Sequence, residues 1–177
     1  LYYNKNLVTV PPETLDDLLQ EAAAGNQVAF VPRFEKAYWG IQAFGEGLFD
    51  ADDRFTLAES GFAEWLTWLD EAQRAPGVIL NVDDESLLSL FTSGQVAYYV
   101  AGPEKQNLIA SKISEEGLFE FGVVPLPRGP LGTAGPLLPS ETILPYAFTS
   151  PEQTRIANAF AVFLVNQQQS VRFMREL

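Results

Sequence analysis

Apolar positions along the chain repeat with two periods, and the switches between them mark the elements. Leu15, Leu18, Leu19, Ala22 and Ala23 recur at helical spacing behind Thr14, which reads as an N-cap with Asp17 at the capping-box position; Gly25 ends the run. Residues 28–31 and 78–80 are short, largely β-branched runs of strand type. Between them, residues 37–44 predict a helix carrying Tyr38 and Trp39, closed by Gly45-Glu46-Gly47. Thr56 and Glu59 make a second capping-box pattern and predict the longest helix, over 56–74. Phe62, Trp65, Leu66, Leu69 and Ala72 would share its buried face, with Trp68 beside it.

The stretch 87–113 organises the rest. Leu87, Leu88, Leu90 and Phe91 form an apolar stripe behind Asp84, read as the N-cap, and Gly94 supplies a left-handed stop. Residues 95–101 are β-branched and aromatic, with Val96, Tyr98 and Val100 on one face. Gly102-Pro103 then turns the chain into a following helix, since glycine permits the bend and proline suits a first helical turn. Such a corner presents backbone N–H groups at the C-terminal end of a strand, where open α/β sheets bind ligands. Further on, residues 119–124 predict a strand, Pro125-Leu126-Pro127 an extended run, 128–136 a Gly- and Pro-rich loop and 137–148 another extended segment. Ser150-Pro151-Glu152-Gln153 opens a helix in which Ile156, Phe160, Phe163 and Leu164 would bury one face, and a second helix follows from about residue 167.

Composition narrows the chemistry. Of 177 residues 47% are hydrophobic, enough for a core. A net charge of −12 argues against nucleic acid or an anionic membrane as partner. With neither cysteine nor histidine, the chain has no disulfide, thiolate metal site, cysteine nucleophile, Ser-His-Asp triad or histidine-ligated zinc. The acidic run 50–54 reads as a solvated turn, lacking the glycine and distal glutamate of an EF-hand loop. Tyr98 and Tyr99 are adjacent in a strand and point to opposite faces, so they do not share a metal. No apolar run is long enough to span a bilayer. Both ends read as cut from a longer chain.

Phe91-Thr92-Ser93-Gly94, Val96-Ala97-Tyr98 and Gly102-Pro103-Glu104 together resemble the F-x-x-G, strand and G-P-W series of extracellular solute-binding proteins of the maltose-binding-protein type. Tyr3-Asn4-Lys5, Pro11-Pro12-Glu13-Thr14, Gly122 to Pro127 and Ser150-Pro151-Glu152 are similar to further segments of that family, in the same order. Some positions depart from it: Leu15 and Glu104 stand where the family has Trp, and the family's acidic and Tyr contacts are not kept at Phe34 and Lys36.

The resemblance implies an α/β fold, a type II periplasmic-binding-protein-like lobe with a mixed central sheet flanked by helices. It implies a second lobe over 1–125, then a crossing and a returning segment of the first lobe over 126–177, made of a strand and two helices. The implied function is the solute receptor of an ABC importer for a sugar or related polar solute, working by hinge closure, with no enzymatic activity and no cofactor. The implied location is extracellular or periplasmic, with anchoring through an N-terminal segment absent here. Permease subunits are the implied partners, and a homodimer of this chain is a further expectation. Matching through Trp39 places ligand contacts at Phe34 and Lys36, flanked by Arg33 and Glu35; Gly102 and Glu104 complete the principal set. Tyr38, Ser140 and Glu141 are secondary candidates. Two alternatives stay open from the residues alone, a glycoside hydrolase using paired carboxylates and a sensor or interaction domain.

Overall fold

The computed structural model describes residues 1–116, 118–137, 143–144, 146 and 150–176. Two compact units divide the chain, Leu1–Leu137 and Leu138–Leu177. The first holds a five-stranded mixed sheet in the order β3-β2-β4-β1-β5, built from β1 (Tyr2–Asn4), β2 (Val28–Phe30), β3 (Val78–Leu80), β4 (Tyr98–Val100) and β5 (Phe121–Val123). β3, β2 and β4 run parallel, and β1 is antiparallel to both β4 and β5.

Strand alternation divides the buried residues between two faces. Val28, Phe30, Tyr98 and Val100 pack on one side, against α1 (Leu15–Ala23), a 3₁₀ turn (Tyr38–Ala43) and α3 (Phe62–Ala72). Ala29, Val31 and Tyr99 pack on the other, against α4 (Asp84–Thr92) and α5 (Gln106–Glu116). Tyr98 and Tyr99 thus enter different cores. On the first face the Trp65 and Trp68 rings stack at 4.9 Å, and Trp39 lies 4.8 Å from Trp65. The Trp65 indole donates to the Ala37 carbonyl at 2.9 Å. Gly40 is closed in by that indole, and a Cβ there would run into the ring.

Several expectations hold at the ends of elements. Thr14 and Asp17 form the reciprocal capping box, and Gly94 adopts φ +75°. Four expectations for the first unit need correction. The helix expected over 37–44 begins earlier, as the short α2 (Phe34–Ala37), and continues as the 3₁₀ turn. Thr56 opens no helix: isolated bridges pair Glu46 with Ser60 and Phe49 with Phe55, folding this segment back as a loop, and α3 starts only at Phe62. The buried face of α3 is Trp65, Trp68 and Ala72, because the stacked indoles fill the space; Leu66 is 48% exposed. Asp83, not Asp84, caps α4, its carboxylate accepting from the Glu85 and Ser86 amides.

After β5 the proline-rich chain stays on the first unit. Arg128 donates to the Glu13 carbonyl, Leu15 to the Arg128 carbonyl, and Gly135 to the Trp39 carbonyl. The extended run expected over 137–148 lies largely outside the described residues. In the second unit, α6 (Pro151–Val165) begins with the expected Ser150–Gln153 capping box, and α7 (Gln167–Glu176) follows Asn166, whose side chain accepts from the Gln169 amide. The expected burial along α6 is not met. Ile156, Phe160 and Phe163 are exposed, since one neighbouring helix covers only a narrow stripe.

Candidate functional site

Three parallel strands end on one edge of the sheet, so the segments following β2, β3 and β4 converge there. Pro32 breaks the chain after β2, and α2 follows at once with Phe34, Glu35 and Lys36. After β4, Gly102 is extended and Pro103 opens a 3₁₀ turn, Pro103–Lys105, which leads into α5. The two segments meet: Lys36 Nζ lies 3.4 Å from Glu104 Oε1. Arg33 Nε lies 3.3 Å from Glu35 Oε1. Phe34 is 54% exposed, and Tyr38 and Phe62 hold its ring edge-on at 5.6 and 6.2 Å. Beside Pro32, an open groove of about 410 Å³ runs between Leu69, Leu80 and Val82 at the ends of β2 and β3.

A second polar layer supports the corner from beneath. The Tyr2 hydroxyl donates to the Gly102 carbonyl at 2.9 Å. The Tyr99 hydroxyl donates to Asp84 Oδ1 at 2.5 Å, and Lys105 Nζ lies 2.9 Å from Asp84 Oδ2. Both oxygens of Asp84 are therefore occupied. Burial works to raise the Asp84 pKa, but the Tyr99 and Lys105 hydrogen bonds and the charges of Lys105 and Lys36 outweigh it and hold it below the usual carboxylate range. Burial, the Asp84 hydrogen bond and nearby carboxylates push the Tyr99 phenol far above its ordinary value. Burial and Glu104 raise Tyr2 as well. Asp84 and Tyr99 act on each other through their hydrogen bond.

Of the residues singled out from the sequence, Arg33, Phe34, Glu35, Lys36, Tyr38, Gly102 and Glu104 fall at this edge. Tyr38 is half-buried and braces Phe34. Ser140 and Glu141 lie outside the described residues. Lys105 and Tyr2 did not stand out in the sequence, and Asp84 and Tyr99 were read there in other roles, as an N-cap and as half of a tyrosine pair. The signal was present in the doubled acid Asp83-Asp84, since one carboxylate suffices for a cap and the other is left for different work. The arrangement offers carboxylates, an ammonium, a guanidinium and an aromatic face, a set suited to hydroxyl-rich solutes. Among the described residues no acidic cluster has the makings of a metal site. Asp50 instead accepts from the Asp52 and Arg54 amides within its own turn.

A family model described as bacterial extracellular solute-binding protein matches residues 1–175. The chain belongs to this family. Members bind solutes and are not enzymes, which sets aside the glycoside-hydrolase alternative, and the family is extracellular. Solved structures agree on the periplasmic-binding-protein fold. The maltose/maltodextrin-binding domain from Bdellovibrio bacteriovorus, bound to maltotriose, is 17% identical with a TM-score of 0.73, covering 93% of this chain and 46% of that one. The Thermus thermophilus maltotriose-binding protein, bound with maltotriose, is 21% identical with a TM-score of 0.62, covering 98% and 49%. The GacH receptor of Streptomyces glaucescens, solved unliganded and with acarbose, is 22% identical with a TM-score of 0.61, covering 75% and 38%. The chain thus spans less than half the length of each of these proteins. No curated protein sequence matches it.

Proposed function

We propose that this chain supplies one lobe of a sugar-binding receptor that delivers its solute to an ABC importer. The observation that carries the reading is the meeting of Lys36 and Glu104 at the C-terminal ends of β2 and β4, in a member of a solute-binding family. Phe34 offers a flat aromatic to a sugar face, taking the part that Trp would play after Gly102-Pro103. The charged groups around it donate to and accept from hydroxyls. On this reading residues 1–125 supply the second lobe, and residues 126–177 a crossing and a returning segment of the first. Solute held between two walls favours closure about the crossings, and the closed form is what permease subunits engage.

One wall supplies half the contacts, so this chain alone binds weakly. Maltotriose is the probe, because two of the related structures hold it. Saturation-transfer NMR on this chain is expected to give saturable transfer from protein to sugar in fast exchange, with millimolar affinity and no micromolar heat by calorimetry. No transfer at any sugar concentration, or binding at micromolar affinity, contradicts the reading. Self-association of this chain through the open apolar row of α6 belongs to the same proposal. A concentration-independent monomer mass by light scattering counts against that part.

A further inference from the structure

Glu104 has one lysine next to it in the chain and another across from it. Lys105 follows it directly, and Lys36 faces it from the segment after β2. The structure gives Lys105 to Asp84 at 2.9 Å, with side-chain exposures of only 21% and 17%. The Lys36–Glu104 pair is more open, at 38% and 57%. A sheltered pair is less screened by water and salt than an exposed one, so the deeper pair sets the arrangement and the shallower one adapts to it.

Asp84 is available for this because Asp83 does the capping. Asp83 takes the Glu85 and Ser86 amides and the Ser86 hydroxyl. Asp84, at the first position of α4, points instead to β4 and to the turn after the corner. Its carboxylate also sits at a helix start, where negative charge is favoured. Together with Tyr2 on the Gly102 carbonyl, this fixes the corner on both sides of Glu104.

We infer that Asp84 is a positioning residue for Glu104: by holding Lys105 it leaves Glu104 to face Lys36, so that the pair meets a hydroxyl-bearing solute in fixed geometry. The inference rests on the reading that this surface binds sugar. Removing the charge of Asp84 frees Lys105 beside Glu104, and Glu104 then divides between two ammonium groups. Asn at position 84 still accepts from the Tyr99 hydroxyl, which keeps the local packing.

Two arms test it on this chain. The first uses no ligand: the Glu104 side-chain carboxyl carbon and the Gly102 to Lys105 amides are followed by NMR in wild type, Asp84→Asn and Asp84→Glu. Asp84→Asn is expected to shift them, and Asp84→Glu to restore them in large part. Unchanged signals in Asp84→Asn overturn the inference. The second arm titrates maltotriose into wild type, Asp84→Asn, Glu104→Gln and the double variant. Asp84→Asn is expected to weaken binding about tenfold in the wild-type background and less than about twofold once Glu104 is already Gln, as coupled residues behave. An equal loss in both backgrounds means Asp84 acts only on general stability, and overturns the inference. If wild type binds no maltotriose, the reading of the surface has failed, and the first arm alone decides whether Asp84 governs Glu104.

Discussion

The Lys36 ammonium and the Glu104 carboxylate, 68 positions apart in the chain, stand 3.4 Å from each other at the ends of β2 and β4. Neither contributes to the core, and both are well exposed. Ion pairs in such places are worth no more than about 1 kcal/mol to stability. Lys36→Met and Glu104→Gln are therefore expected to unfold in urea within about 1 kcal/mol of wild type while weakening maltotriose binding. A large loss of stability with unchanged binding would assign the pair to the fold instead. Phe34→Ala is expected to follow the same pattern.

Gly40 tests the aromatic core. A methyl group there collides with the Trp65 indole, which is itself locked against Trp39 and Trp68. Gly40→Ala is expected to cost roughly 1–3 kcal/mol in urea unfolding, as overpacking does. A neutral substitution would mean that the indole stack yields.

The two capping-box patterns predict opposite outcomes. Thr14 caps α1 through the Asp17 amide at 3.0 Å, and Thr14→Ala is expected to cost about 1 kcal/mol. Thr56 caps nothing, and Thr56→Ala should change stability by less than about 0.5 kcal/mol. Equal costs would restore the longer helix read from the sequence.

Stability should fall at both ends of the pH scale. The folded-state pKa of Asp84 is held below its unfolded value, so its contribution is present above the unfolded value and is lost as pH falls through the folded one. Asp84→Asn should flatten the acid limb below about pH 4. Tyr2, Tyr98 and Tyr99 have raised folded-state values, so their contribution is complete below about pH 10 and is lost as pH rises from there. In a tyrosinate absorbance titration, Tyr98 and Tyr99 should ionise only as the protein unfolds, and Tyr2 above its ordinary value. Ionisation of all tyrosines together near pH 10 in the folded protein contradicts their burial.

The strands, the Gly94 stop and the Gly102-Pro103 corner were legible in the sequence because each is set by neighbours a few residues away. Period-two alternation also separated Tyr98 from Tyr99. What escaped was decided at longer range. The start of α3 depends on bridges between residues on either side of a loop, which outweigh the capping pattern at Thr56. The buried face of α3 depends on indoles brought together from two elements. Lys36 and Glu104 were each singled out, but their meeting follows from sheet order. The doubled acid Asp83-Asp84 hinted at a spare carboxylate, but its partner Lys105 follows from a contact between the start of one helix and the approach to another.

The central claim is that the segments after β2 and β4 form one solute-facing surface. Backbone amide shifts recorded while maltotriose is added to this chain test it most directly. The account predicts that the largest changes fall together on residues 33–36 and 102–105, follow one saturation curve, and spare the amides of α1 and β5. Changes at only one of the two segments, or centred elsewhere on the molecule, would contradict it.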